Sequence, residues 1–597
     1  MSQMENNTVK ETQKIKRSQK YQAVVELLVA LALLVVINII ATQVYTRIDF
    51  TKEHRYSLSK ASKDLAQDLD DVLFVRVYLD GELNPDFKRL RIATKEMLDE
   101  FRVASGGMIE YEFSDPLEGK TQKEKVDIIR ELQQSGLAPT EIYDNTGDES
   151  SRKVIVPGAT FYYKTSQQYP LNLLKQQFGQ PAQVVLNKSI EALEYEISST
   201  LKKIVSGKRK TIAFLDGHGE LTPQETADLA NELGESYNVT RFDLWMDTAN
   251  ENFIKQFAGG FDSIAVEDAA RWLLDTLQKK LQSFDAIVIA RPRDRFTEQE
   301  KYYIDQYVMG GGKLIWLIDP LIANLDSIQK YRTVVTADYD LNLNDMLFEY
   351  GVRMNPDLIQ DAECNGLRLD ASGKIYPWVW DPIVVAKSKH PIVKNLNPIL
   401  FRFASSIDTV GKGSVRKKVL LTSSLYSRPV NNPVELSFDI VANPPPPALL
   451  NKPEKTLAVL VEGNFESAFK NRRSTNSDPT LNFKTQSLPT SMIFIGDGDL
   501  IRNTISGNGE IFPLGFDRNT KRMFDNKKFF VNCVDYLFDQ SGLIEVRTKE
   551  FEIRPLNKTK VKDEETYWKT LNMVVPVIAI IIFGLINGFI RRRRYVK

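Results

Sequence analysis

Two cysteines in 597 residues, Cys364 and Cys533, and three scattered histidines, His54, His218 and His390, leave little material for redox or metal chemistry. No CxxC and no HExxH occurs, so the spacings that close a zinc site or drive thiol exchange are missing. The two cysteines could pair in an oxidising compartment or remain two thiols, and the sequence does not decide between them. No sign of charge is in surplus either. The 78 Lys+Arg balance 78 Asp+Glu, which removes any global attraction to nucleic acid. GxSxG is absent, and Cys364 is read as having no strand before it, so no nucleophile stands on an elbow. Gly310-Gly311-Gly312-Lys313 looks like a phosphate loop but fails the Walker pattern. Tyr307 and Leu314 stand where a glycine and a Ser or Thr are needed. The expectation is therefore no catalytic set, no metal and no cofactor.

What the chain does have is long apolar runs at its two ends. Residues 571–590 carry no charge, and Arg591, Arg592, Arg593 and Arg594 follow at once. About twenty apolar residues cover the ~30 Å hydrocarbon core of a bilayer, and basic flanks mark the cytoplasmic side. Residues 23–41 read AVVELLVALALLVVINIIA, interrupted only by Glu26 and Asn38, and Lys16, Arg17 and Lys20 precede them. That run exceeds the hydrophobic region of a signal peptide, and its only A-x-A lies inside the run, so an uncleaved anchor is expected. Both termini are then expected to be cytoplasmic, with the bulk of the chain exported between the two anchors. Within the second span, Gly584 and Gly588 form a GxxxG that permits close helix packing, and Pro576 is expected to kink it.

Between the anchors the composition is that of folded domains: 42% hydrophobic and 10% aromatic. Periodicity divides the chain into a tail (1–20), a first span (21–45), a module at 50–207, a larger domain at 208–545, a return linker (546–568), a second span (569–590) and a basic tail (591–597). The module reads β-α-β-α-β-β-α, with Pro157 entering its third strand, and this is the order of a thioredoxin-like fold; it contains no cysteine, which excludes thiol chemistry. The larger domain alternates strands (211–215, 238–244, 284–290, 313–318, 491–495) with helices (223–235, 297–308, 526–538). That alternation predicts a doubly wound, Rossmann-like or amidotransferase-like parallel sheet, with a long insertion at about 321–484. Residues 546–553 alternate as a strand would.

A sheet of this kind binds ligands outside the carboxyl ends of its strands. Two stretches fall there: Asp216-Gly217-His218-Gly219-Glu220 after the first strand, and Asp497 and Asp499 after the last. Asp216, His218, Glu220, Asp497 and Asp499 are the candidate ligand crevice. The competing readings are a tight two-glycine turn at the first place, with Thr222 where a dinucleotide fingerprint needs glycine, and turn-capping aspartates at the second.

Several strings carry a family resemblance: RYSLS at 55–59, FKRLRIATKEMLDEF at 87–101, FLDGHGE at 214–220, YIDQYVMGGGKLIWLID at 303–319, ADYDLNLNDMLFEYGVRMNPDLIQD at 337–361 and HPIVKNLNPILFRFASSID at 390–408. In order and spacing the chain resembles the GldG family, the gliding-motility-associated ABC-transporter auxiliaries of Bacteroidota. The resemblance implies an α/β auxiliary of the ABC-2 type, working with an ABC permease and a separate cytoplasmic ATPase, and it brings no catalytic residues. Self-association is left open. The alternatives are a periplasmic ligand-binding receptor and, more remotely, a hydrolase.

Overall fold

Pro157 decides the layout of the N-terminal module. Lacking an N–H, it cannot continue a ladder, so the run read as one strand over 154–163 is two, Ser151–Ile155 and Gly158–Tyr163. A computed structural model describes residues 25, 27–29, 31–36, 57–144, 151–164, 167–174, 182–206, 209–244, 276–369, 373–394, 396–411, 415–451, 453–472, 483–539, 542, 546 and 564–595. In it the module runs α1 (Lys60–Gln67), β1 (Leu73–Val77), α2 (Pro85–Ala104), β2 (Ile109–Phe113), α3 (Gln122–Gln134), β3 (Thr140–Asp144), β4 (Ser151–Ile155), β5 (Gly158–Tyr163), β6 (Gln167–Asn172) and α4 (Ala182–Ser206). The β3–β4 hairpin is an addition that the hydrophobic pattern did not announce.

Caps fix the helix starts. The Ser59 hydroxyl accepts from the Ser62 N–H, and Asn84 caps α2 with Pro85 in its first turn, where the missing N–H costs nothing. The sheet order is β2-β1-β5-β6, with β1 parallel to β2 and antiparallel to β5, and β5 antiparallel to β6. Leu73, Val75 and Val77 of β1 are fully buried against Leu90, Leu98 and Phe101 of α2 and Leu193, Ile197 and Leu201 of α4.

The second domain is built on β7 (Thr211–Asp216), α5 (Ala227–Gly234), β8 (Asn238–Asp243), β9 (Ala286–Ala290), α6 (Glu298–Met309) and β10 (Lys313–Leu317). The helix expected from Pro223 begins at Ala227, because residues 223–226 form a turn in which the Thr226 N–H reaches the Thr222 carbonyl. Strands β8, β7, β9 and β10 are mutually parallel. The stretch read as an insertion is not wholly one, since two of its strands, β11 (Arg416–Thr422) and β12 (Thr456–Gly463), join the main sheet, β12 running against its parallel strands and β11 pairing antiparallel with β12. After them β13 (Thr490–Ile495) returns parallel beside β10. The seven-stranded order is β11-β12-β13-β10-β9-β7-β8. All five residues of β9 are buried, as expected for a strand covered on both faces. On one face, α5 and the last helix of the domain, α7 (Asn526–Phe538), pack Leu229, Leu233, Phe529 and Val534 on the sheet. On the other, α6 supplies Tyr303, Ile304, Tyr307 and Val308.

The remainder of the 321–484 stretch forms a lobe of short strands around Trp378, Trp380 and Phe403. The lobe, the sheet and the N-terminal module belong to one compact unit, Met1–Lys549. The module is pinned to α7 by the Tyr195 hydroxyl donating to Asp535 at 2.8 Å and by a Lys202–Asp539 pair at 3.5 Å.

The second unit, Glu550–Lys597, carries α8 (Glu565–Tyr595). Its segment Glu565–Ile590 is 26 residues long with mean hydropathy 2.6 and no buried residue. At 1.5 Å per residue this is about 39 Å, enough to cross a bilayer. Pro576 lies inside the helix, and a Cβ added at Gly584 or Gly588 would meet nothing. Arg591 and Arg594 continue the helix, and the Arg593 guanidinium lies over the Phe589 ring. Among the described residues this is the one helix long enough to span; Leu27–Val36 is a shorter apolar helix. The rest of the expected first span, Lys16, Arg17 and Lys20, and the strand read at 546–553 lie outside the described residues, save for Val546, which is helical.

Candidate functional site

The five predicted crevice residues stand at the carboxyl edge of the sheet, but they fall into three separate networks. Asp216 ends β7 and is taken up by Arg241 of β8, whose Nε reaches its carboxylate at 2.7 Å. The same guanidinium also donates to the Leu221 carbonyl and the Thr226 hydroxyl. Asp216 therefore closes the sheet edge and presents no free carboxylate.

His218 is fully buried, its ring stacked on Phe296 with centroids 3.7 Å apart and 9° between the planes. Nε2 lies 3.2 Å from Glu300 and Nδ1 lies 3.6 Å from Glu220. Burial alone would depress the imidazolium, yet the two carboxylates outweigh it and push the pKa up to about 9. Each glutamate has a second duty. Glu220 accepts from the His218 backbone N–H at 2.6 Å, and Glu300 forms a capping box with Thr297 at the start of α6. Gly219 permits the turn, since its φ of +71° suits glycine. The result is a latch joining the β7 turn to α6 around a fully buried ring.

Asp497 and Asp499 belong to a third network, around a residue that the sequence reading missed. Arg291 follows β9 directly, is 5% exposed and has φ +60°. Its Nη1 lies 2.8 Å from Asp499 and its Nε lies 3.5 Å from Asp319, the residue after Ile318 at the end of β10. Neither nitrogen completes a hydrogen bond. Gly498 lets the loop come this close: a Cβ there would stand 2.6 Å from Asp319 and 2.8 Å from Arg291. The Gly498 N–H donates to Asp319 at 2.6 Å. Burial and the neighbouring Asp499 nonetheless push Asp319 up to about 7. Asp497, fully buried, accepts from the N–H groups of Asp499 and of Arg402 in the lobe, each at 2.8 Å. Burial, with Asp319 and Asp499 beside it, holds its carboxyl well above the usual range. Arg291 and Asp319 were findable by the strand-end rule already used for Asp216 and Asp497. Arg402 and its lobe neighbours carry no local signal in the sequence.

Among the described residues no group of three His, Cys, Asp or Glu is placed to hold a metal ion. The glycines at 310–312 form the turn from α6 to β10. A Cβ at Gly312 would lie 2.3 Å from the Tyr307 ring, and the Thr490 hydroxyl donates to the Gly311 and Gly312 carbonyls. Cys364 does have a strand before it, Asp357–Asp361, but it opens a further strand rather than a helix, so there is no elbow. Both cysteines are free thiols, and burial together with Asp361 and Asp381 pushes Cys364 up to about 11, far from a nucleophile. A groove of about 570 Å³ runs between α5 and the edge strand β8, lined by Asn231, Tyr237, Val239 and Arg241 among others. It holds no acid–base pair.

The chain is similar to known proteins along most of its length. A family model described as an ABC-type uncharacterized transport system matches residues 209–533, and a model for a domain of unknown function matches residues 52–162. An uncharacterized protein of Borreliella burgdorferi is 21% identical over 561 residues, covering 92% of this chain and 94% of that one. Among solved structures, the mmIFT52 N-terminal domain aligns with 55% of this chain and 97% of its own length, at 13% identity and a TM-score of 0.30.

Proposed function

The chain belongs to the ABC-type uncharacterized transport system family, and on that premise we propose that it is a non-catalytic, membrane-anchored auxiliary subunit of an ABC transporter-like complex. The observation that carries this reading is a carboxyl edge where a doubly wound enzyme would keep its chemistry and where every predicted crevice residue is already engaged with its own neighbours. A subunit with no chemistry of its own acts by contact. Its partners are then an ABC permease and a separate cytoplasmic ATPase, which suits a chain without a Walker motif.

The anchor at the C-terminus and the apolar run at the N-terminus hold the body on the periplasmic side of the inner membrane, with the basic tails inside. We read the N-terminal module as thioredoxin-like, on its β2-β1-β5-β6 order and mixed pairing, and the larger domain as Rossmann-like or amidotransferase-like, on its five parallel strands with helices on both faces. Gliding motility as the output rests on the resemblance to the GldG family. The receptor reading is weakened by the sealed surroundings of His218. Extraction in mild detergent followed by affinity purification tests the proposal: permease and ATPase should co-purify in fixed ratio, and a lone monomer would count against it.

A further inference from the structure

The lobe meets the sheet along a seam that contains more carboxyl groups than cations. On the sheet side stand Asp319, Asp497 and Asp499, with Arg291 among them. On the lobe side the Phe403 N–H donates to the Trp380 carbonyl and the Phe401 N–H to the Pro382 carbonyl. That register sets Asp381 opposite Arg402, on the same face of the pairing. Arg402 also lies 3.8 Å from Asp517, which is buried. At the rim, Arg502 lies between Glu225 at 2.8 Å and Asp499 at 3.6 Å, and Arg293 and Tyr339 are within electrostatic reach of Asp319 and Arg291. Six carboxyls (Asp319, Asp381, Asp497, Asp499, Asp517 and Glu225) thus face four guanidiniums (Arg291, Arg293, Arg402 and Arg502). Asp381 is the telling member: it is 6% exposed, and its carboxyl takes part in no hydrogen bond among the described residues.

A buried carboxylate without a partner is unfavourable, and the excess must be neutralised by something. Among the described residues no acidic group is arranged for a metal ion, and the seam is packed. A Cβ at Gly496 would stand 2.1 Å from the Ser405 carbonyl across it. The proton is the cation that needs no volume. We propose that the seam is a proton-operated clasp, closed on the lobe while Asp319 and Asp381 carry protons and loosened when both ionise. Loosening follows from repulsion, because ionised Asp381 on the lobe faces Asp499 on the sheet side and Asp517, and ionised Asp319 faces Asp499. Burial and these neighbours push both Asp319 and Asp381 up to about 7, so the change falls within the range an envelope domain meets. The bonds at stake are the Arg402 N–H to Asp497 and the Ser405 N–H to the Gly496 carbonyl, both at 2.8 Å.

Hydrogen exchange on the full chain in detergent reads those two amides directly. Between pH 6 and pH 8, after correction for intrinsic exchange, their protection should fall on the order of a hundredfold, about tenfold for each of the two linked protons. The double variant Asp319→Asn with Asp381→Asn should stay protected at pH 8 and show no pH dependence. If it does not fold, Asp381→Asn alone, at a side chain without a hydrogen bond, should halve the slope. A pH-independent wild type, or an undiminished fall in the variant that folds, overturns the clasp.

Discussion

Two charged knots at the carboxyl edge are made from similar materials and differ in their balance. At the β7 turn one buried imidazolium sits between two glutamates that have other partners, so the knot can stay ionised and acts as a fastener. At the ends of β9, β10 and β13 the carboxyls outnumber the guanidiniums, and protons must make up the difference. The first is fixed at neutral pH and the second titrates there. Position on a fold marks where charged residues gather; the partners each one keeps, backbone N–H groups as well as side chains, decide what they do.

The largest effect that would break this contrast comes from His218→Ala. It leaves Glu220 and Glu300 buried without their cation, and breaking such a buried pair costs about 3–5 kcal/mol. Denaturant unfolding checks it, and a loss below about 1 kcal/mol would mean the latch is ornamental. Next is Gly496→Ala, where the new methyl meets the Ser405 backbone rather than a side chain that can move. A loss of about 1–3 kcal/mol is expected from such overpacking, measured in the same way.

The pH dependence separates the knots. An Asp whose folded pKa is raised to about 7 binds more protons folded than unfolded above pH 3.8, so its contribution is complete below 3.8 and is lost as pH rises through about 7. The raised His218 contributes fully below 6.5 and loses its contribution as pH rises through about 9. A thermal melting series from pH 5 to 10 should therefore decline in two stages. His218→Gln flattens the upper stage, and the paired Asp319→Asn and Asp381→Asn flatten the lower. The smallest effect is chemical: Cys364 and Cys533 should alkylate at least tenfold more slowly than a free thiol at pH 8, because burial keeps both protonated.

Much of the second domain was legible in the sequence because buried parallel strands such as 286–290 and 313–317 are short, nearly pure apolar runs. The edge strands were not. Residues 416–422 and 456–463 read as part of an insertion, because nothing local tells a strand that joins the main sheet from one of a lobe. In the N-terminal module, Pro157 was visible, yet its consequence, two strands in place of one, needed the partners on either side. At the edge, position alone marks Asp216, His218, Glu220, Asp497 and Asp499 in the sequence. Their partners Arg241, Glu300, Arg402 and Arg291 come from elsewhere along the chain, and it is these partners that convert a supposed crevice into a latch and a seam.

The proposed function places the body of the chain outside the inner membrane, held by its apolar ends. Alkaline phosphatase, active only after export, and a cytosol-restricted fluorescent protein can each be inserted beside Pro445 in the full chain. The account predicts an active phosphatase and a dark fluorescent fusion; an inactive phosphatase with a bright fluorescent fusion would contradict it.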